Sequence, residues 1–366
     1  MKVVVAMDSF KGSLTSLEAG EAVRRGILKS CPDAEVKVLP LADGGEGTLD
    51  CIAPYVGGEE ITLTVRGPLG SPVEASYIFV HSNNTAYIEM ARASGLTLVD
   101  PSVLDAVHAS SYGTGELMLD AIRRGAREIV VFIGGSATTD GGAGMLQALG
   151  ARLLDKNGAD IGPGAAGLAD LATVDLSTLA GRDVSFTVAS DVTNPLCGPE
   201  GCAFVYGPQK GATREECTQM DAWLEGFAHV CGCDPFEAGT GAAGGMSFAL
   251  KNLLGAKVCS GAKIVTDVTG AAREIETCDL VITGEGRMDS QTVRGKAPMR
   301  MLELGQKYGK PVIGLCGVLG DGVEECLSAG FAKVVPLVHP VMEQGAAILS
   351  VEETSSKTIK DWFLSH

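Results

Sequence analysis

The sequence predicts an α/β protein in which a discontinuous, flavodoxin-like parallel-sheet domain carries a second, inserted α/β domain. Three observations predict it. Short apolar runs ending in Gly, Asp or Ser recur, each followed by helical spacing of apolar residues. The runs form two groups, one near each end of the chain, separated by a middle section of different texture. The chain also holds 49 glycines against 5% aromatic residues, which favours glycine-rich strand-to-helix loops over an aromatic-rich β-sandwich. At 366 residues it exceeds one ordinary core, so two domains are expected.

The first run, "KVVVAMDSF", leads into "SLTSLEAGEAVRRGILKSC", where Leu17, Val23, Ile27 and Leu28 lie near one helical face. "EVKVLPLADGGEG" follows. Towards the other end come "CDLVITGEG" with "APMRMLELGQKYG", then "PVIGLCG" and "FAKVVPLVHP". Five such runs joined by helices make a doubly wound parallel sheet. The middle section opens on "ITLTVRGPLGSPVEASYIFV", whose alternation around a Gly-Pro turn predicts a β-hairpin. "NTAYIEMA" adds a strand, and "GTGELMLDAIRRGA", "EIVVFIGGSATTDGG" and "VSFTVASDVTNPLCG" follow. The expected domains are 1–65 with 272–366, and 66–271, with hinges near "RGPLGSP" and "VTDVTGAA".

Lys+Arg number 29 and Asp+Glu 45, a formal net charge of −16, and no basic stripe interleaves with aromatics, so nucleic acid is excluded as a partner. The N-terminal apolar run ends at Asp8, too short for a signal peptide, and no stretch approaches a membrane span. Eleven cysteines then read as reduced thiols of a cytoplasmic protein. "HVCGCD" has a Cys-x-Cys spacing without a second matching pair, which argues against structural zinc.

Open parallel sheets bind ligands beyond the carboxyl ends of their strands. Those ends carry Asp8, Ser9, Lys11 and Ser13; Asp43, Gly44, Gly45 and Glu46; Glu285, Arg287, Asp289, Arg294 and Lys296. The inserted domain adds Gly134, Gly135, Ser136, Thr138, Thr139 and Asp140, and also Asp191, Thr193 and Asn194. Singly, each has a plainer reading. Asp8 and Asp43 read as helix caps, Lys11 as a solvated lysine, and Asp140 and "DVTNP" as turns. Together, acids with glycine at five strand ends and lysine at two suit phosphate chemistry. Amides cradle oxygens, lysine neutralises charge and carboxylates hold Mg²⁺. No G-x-x-x-x-G-K-[ST] occurs, "GEGRMD" has Asp289 where a dinucleotide fingerprint needs its third glycine, and no G-x-S-x-G elbow appears.

"DSFKGSLTS", "PLADGGEGT", "GGSATTDGGAGMLQALG", "SDVTNPLCG", "GAAGG" and "VITGEGRMDSQT", in this order from Met1 to about Pro340, resemble the bacterial glycerate kinases of the tartronate and glucarate pathways. The resemblance implies transfer of the ATP γ-phosphoryl group to D-glycerate, with Mg²⁺, in a two-domain protein whose cleft holds both substrates. The product implied is 2-phosphoglycerate, with 3-phosphoglycerate the alternative. On this reading Lys11 beside Ser9 and Ser13, or Arg66 in "VRGP", meets the glycerate carboxylate, and Asp191 or Asp8 is the base. Glu285 and Asp289 meet Mg²⁺ or ribose, and Thr138, Thr139 and Asp140 contact phosphate or its metal. A homo-oligomer is compatible with the sequence. A Mg²⁺-dependent phosphatase and a non-catalytic metabolite-binding protein are the rival classes.

Overall fold

The computed structural model describes residues 1–10, 13–337 and 344–365. In chain order the strands are β1 (Lys2–Met7), β2 (Glu35–Pro40), β3 (Glu59–Arg66), β4 (Pro72–Val80), β5 (Thr85–Glu89), β6 (Glu128–Phe132) and β7 (Arg152–Asp155). They continue with β8 (Leu171–Asp175), β9 (Ser185–Ala189), β10 (Lys257–Cys259), β11 (Leu280–Met288), β12 (Val312–Leu319) and β13 (Lys333–Pro336). The chain divides into two compact units: 1–43, 50–55 and 260–366 form one, and 44–49 with 56–259 form the other.

The first unit is built on a sheet ordered β13-β12-β11-β1-β2, every pair parallel. Counted along the chain this is the order 2-1-3-4-5, the flavodoxin-like arrangement. The five apolar runs became these five strands. Central β1 shows why they lack alternation: Val3, Val5 and Met7 enter one core with Ile27, Ile282 and Val351. Val4 and Ala6 enter the core on the opposite face with Val281, Met301 and Val312. A strand covered on both faces must be apolar at every position, each buried Val contributing about 1.5–3 kcal/mol.

The helix after β1, Ser16–Ser30, begins with a capping box: Glu18 N–H donates to Thr15 Oγ1 (3.2 Å) and Thr15 N–H to Glu18 Oε2 (2.8 Å). Its buried stripe is Ala19, Ala22, Val23, Gly26 and Ile27. Leu17, expected on that face, is 42% exposed. The small residues admit the helix Gln344–Ser365, whose backbone comes so close that a Cβ on Gly26 would lie 2.3 Å from the Glu352 carbonyl oxygen. Nearby, Glu352 accepts from Arg25 (2.5 Å) and Lys29 (2.6 Å). Helix propensity alone predicts that Gly26→Ala stabilises by about 1 kcal/mol. The close approach reverses the sign, and overpacking of this kind should cost about 1–3 kcal/mol. A lower thermal midpoint for Gly26→Ala than for the parent is the expected result; a higher one would contradict this packing.

The second unit has a six-stranded sheet, β10-β9-β6-β5-β4-β3, parallel from β10 to β5 and antiparallel across β4 and β3, and a small antiparallel pair, β7-β8. Its core includes Tyr77, Phe79, Ile88, Val131, Phe227 and Phe248. Three expectations need correction. β3 pairs with β4 along its whole length, Glu59 opposite Phe79 through Arg66 opposite Pro72, so 59–65 belongs to this unit's sheet and not to the first unit. "RGPLGSP" is accordingly a hairpin turn rather than a hinge, closed by Gly67 N–H donating to the Ser71 carbonyl at 2.7 Å. The helix Gly261–Val268, placed in the insertion by the sequence boundary at 271, lies in the first unit.

Candidate active site

In the first unit the crossovers leave β1 and β11 in opposite directions, which makes the gap between those two strands the switch point where ligands of such sheets bind. Asp8 stands there: its N–H donates to the Gly284 carbonyl (2.8 Å), and its Oδ1 accepts from Ser9 N–H (2.7 Å). Gly284 must be glycine, because a Cβ would lie 1.9 Å from the Leu315 carbonyl oxygen. Ser13 is tied into a local turn, its hydroxyl donating to the Phe10 carbonyl (3.0 Å). Ser16, missed by sequence reasoning, joins two strand ends: its hydroxyl donates to the Met7 carbonyl (2.7 Å) and accepts from Leu41 N–H (2.9 Å). Asp43 is half-buried beyond β2. Lys11 lies outside the described residues.

Glu285, next along β11, is buried. Its Oε1 accepts from the Thr292 hydroxyl (2.7 Å) and its Oε2 pairs with Lys296 (3.2 Å). Burial pushes its carboxyl above the usual range, against the pull of Thr292 and Lys296. Asp289 accepts from Gln291 N–H (2.8 Å) and pairs with Arg287 (3.2 Å). The two carboxylates expected to hold Mg²⁺ are therefore already engaged by cations and donors of the chain. Among the described residues no group of three or more His, Cys, Asp or Glu could hold a metal ion. Mg²⁺ is ordinarily held by one or two carboxylates together with substrate phosphates, so Glu285 and Asp289 would share their oxygens between the ion and these donors of the chain.

In the second unit β5, β6 and β9 are parallel neighbours, so Glu89, the glycine loop 134–142 and Asp191 all follow carboxyl ends on one edge. Gly134 N–H donates to the Gly44 carbonyl (3.1 Å), and a Cβ on Gly134 would lie 2.5 Å from Gly45 Cα. Three residues singled out from sequence are thereby in contact. The Gly44–Leu49 stretch is fixed by Glu89, 2% exposed, whose oxygens accept from Gly47 N–H (2.9 Å) and Leu49 N–H (2.9 Å). Nothing in the local sequence around Glu89 announces that role.

The glycine loop answers to the protein before any ligand. At Gly144 a Cβ would lie 2.2 Å from the Ser110 hydroxyl. Asp140, expected to touch phosphate or its metal, is fully buried. It accepts from Ser111 N–H (2.8 Å), Ser111 Oγ (2.8 Å), Gly142 N–H (3.1 Å) and Gly144 N–H (3.2 Å). Its carboxylate holds the turn, the plainer of the two readings, and burial pushes its pKa upward against those donors. Ser136, Thr138 and Thr139 are buried beside it. Among the described residues the Thr138 and Thr139 hydroxyls have no hydrogen-bond partner, and neither does that of Ser247. Buried hydroxyls are ordinarily bonded, so a loop with two unbonded ones is unusual. The segment carrying Ser247 packs on this loop, for a Cβ on Gly244 would lie 2.0 Å from the Thr138 carbonyl oxygen. That segment is strained, with Ala243 at φ 55°, outside glycine's company in the left-handed region.

Two further expected residues separate by role. Asn194 is committed to its own loop: its amide donates to the Glu200 carbonyl (2.8 Å) and its oxygen accepts from the Tyr206 hydroxyl (2.8 Å). Arg66 is exposed at the end of β3, its guanidinium stacked 4.0 Å over the Tyr112 ring, which leaves its charge able to meet an anion.

The comparisons with known proteins agree with one another. The family model described as the glycerate kinase family matches residues 3–363. The chain is 46% identical to glycerate 2-kinase of Escherichia coli over 330 residues, 88% of this chain and 87% of that one. It is 42% identical to glycerate kinase of Halalkalibacterium halodurans, covering 98% of each. A crystal structure assigned to glycerate kinase 2 of Salmonella typhimurium LT2 superposes with a TM-score of 0.84 at 42% identity, over 100% of this chain and 98% of that one. On a match that spans nearly its whole length, the chain belongs to the glycerate kinase family.

Proposed function

We propose that this protein, working in the cytoplasm, transfers the γ-phosphoryl group of ATP to the 2-hydroxyl of D-glycerate, giving 2-phosphoglycerate and ADP. The observation that carries the reading is the end-to-end similarity to glycerate kinases at 42–46% identity. The choice of hydroxyl rests on the Escherichia coli relative, a glycerate 2-kinase. In the step, the glycerate oxygen bonds to the γ-phosphorus, the bridge to the β-phosphate breaks, and the hydroxyl proton passes to a carboxylate. Such transfers depend on positioning and charge neutralisation. Mg²⁺ enters with ATP as part of the substrate, bridging phosphate oxygens as in other phosphoryl transfers.

In this reading Asp191 takes the proton, Asp8 being the alternative base, and Arg66 or Lys11, with Ser9 and Ser13, meets the glycerate carboxylate. Gly134, Gly135, Ser136, Thr138 and Thr139, with Gly44 and Gly45, line the nucleotide phosphates. The unpartnered Thr138 and Thr139 hydroxyls support that last assignment. A coupled assay tests the reaction. With ATP, Mg²⁺ and D-glycerate, ADP should form only when glycerate is present, and chelation of Mg²⁺ should stop it without unfolding the chain. Adding enolase without a mutase should then yield phosphoenolpyruvate, since enolase consumes 2-phosphoglycerate directly. ADP without phosphoenolpyruvate would move the reaction to the 3-hydroxyl.

A further inference from the structure

Lys210 is a buried cation of the second unit that no local sequence pattern singles out. It closes the single turn Pro208–Lys210 and is 2% exposed. Its ammonium donates to Ser136 Oγ (3.0 Å) and to the Thr138 carbonyl (2.5 Å), so it spans the loop 136–138 from behind. Both acceptors are neutral, and no carboxylate lies within ion-pair distance of it among the described residues; Asp140 acts on it only through longer-range attraction. Burial lowers its pKa to about 8.

That arrangement is poor value for stability alone. A buried ammonium loses its hydration, and neutral oxygens return only part of it. A methionine of similar length would fill the same space without that cost. What the ammonium supplies, and methionine lacks, is a fixed positive charge on a loop whose two threonine hydroxyls have no partner among the described residues. A positive charge in a dry setting strengthens the attraction of nearby groups for an anion.

We propose that Lys210 is a positioning residue for phosphoryl transfer, holding Ser136 and Thr138 so that the Thr138 and Thr139 hydroxyls are set to receive phosphate oxygens. It acts through the loop and not by contact with the reacting atoms. The proposal rests on the reading of loop 134–142 as part of the nucleotide site.

The test compares parent, Lys210→Met, Ser136→Ala and the double variant as full chains. Lys210→Met should melt several degrees below the parent yet remain folded at assay temperature, since it leaves the Thr138 carbonyl without its donor. Its kcat should fall by about 30-fold or more, with the KM for D-glycerate changed by less than about twofold. Ser136→Ala should lower kcat by about tenfold in the parent yet by less than about twofold in Lys210→Met, because one clamp is removed twice. Hydrogen exchange should show faster exchange of the amides of 135–139 in Lys210→Met, with the rest of the chain unchanged. A kcat for Lys210→Met within twofold of the parent, measured below its melting transition, overturns the proposal. So do fully additive effects of the two substitutions, which would make Ser136 a direct contact independent of the lysine. If the parent itself shows no glycerate-dependent turnover, the functional reading fails on its own. Exchange then decides the positioning: unaltered exchange at 135–139 overturns it, and faster exchange there supports it.

Discussion

Asp191→Asn is expected to lower kcat for glycerate phosphorylation by about 10²–10⁴-fold, the usual cost of removing a general base, while leaving the thermal midpoint where it was. Asp191 follows β9, half-buried, in a loop anchored elsewhere. Ser190 N–H donates to the Cys259 carbonyl (2.9 Å), and Gly241 N–H to the Asn194 carbonyl (3.0 Å). Asn194, three residues on, spends its side chain on Glu200 and Tyr206, so the loop's shape has its own supports. The substitution keeps size and turn preference and removes the carboxylate's ability to take a proton. In kinetic terms the loss is about 3–5 kcal/mol of barrier. The KM for glycerate should change little, because the group acts in the transition state. Unchanged melting with kcat near the parent's would remove Asp191 from the mechanism and pass the role to Asp8, at the switch point of the other sheet.

The second large effect is on folding. Asp140→Ala should destabilise the protein by about 3–5 kcal/mol, since it leaves buried donors without an acceptor. The orphans are Ser111 N–H and Oγ with Gly142 and Gly144 N–H. Urea unfolding of both proteins measures the difference. A loss below about 1 kcal/mol would mean that the loop rearranges around the missing group. Asp140 would then be available for the ligand role that its position in the sequence had suggested.

The contrast between these two aspartates marks what can be read from the chain. The five parallel strands were legible because a strand buried on both faces has to be a run such as "KVVVAM", bounded by turn residues. The β3–β4 hairpin was legible from alternation around Gly67 and Pro68. Its membership was not, since nothing local to 59–66 says that the strand continues the sheet of β5 and β6. The same limit governs the site. Asp8 and Asp191 could be placed at strand ends because those ends are known from the runs before them. Glu89 and Lys210 were missed because their partners lie far along the chain: Gly47 and Leu49 for one, Ser136 and Thr138 for the other. Glycines were read as openings for phosphate. Gly134 is also required by packing, since a Cβ there would lie 2.5 Å from Gly45 Cα, a fact visible only in three dimensions. Leu17 failed for a simpler reason: the helix approaches its neighbour through Gly26 and alanines, so bulk was not the signal of burial.

The central claim, phosphoryl transfer to glycerate within this family, meets its most direct test in ³¹P NMR of a reaction holding the protein, ATP, Mg²⁺ and D-glycerate. The account predicts a new phosphomonoester resonance, matching added 2-phosphoglycerate and growing in step with ADP, with inorganic phosphate flat. Inorganic phosphate rising at the same rate with and without glycerate, and no phosphomonoester, would contradict it.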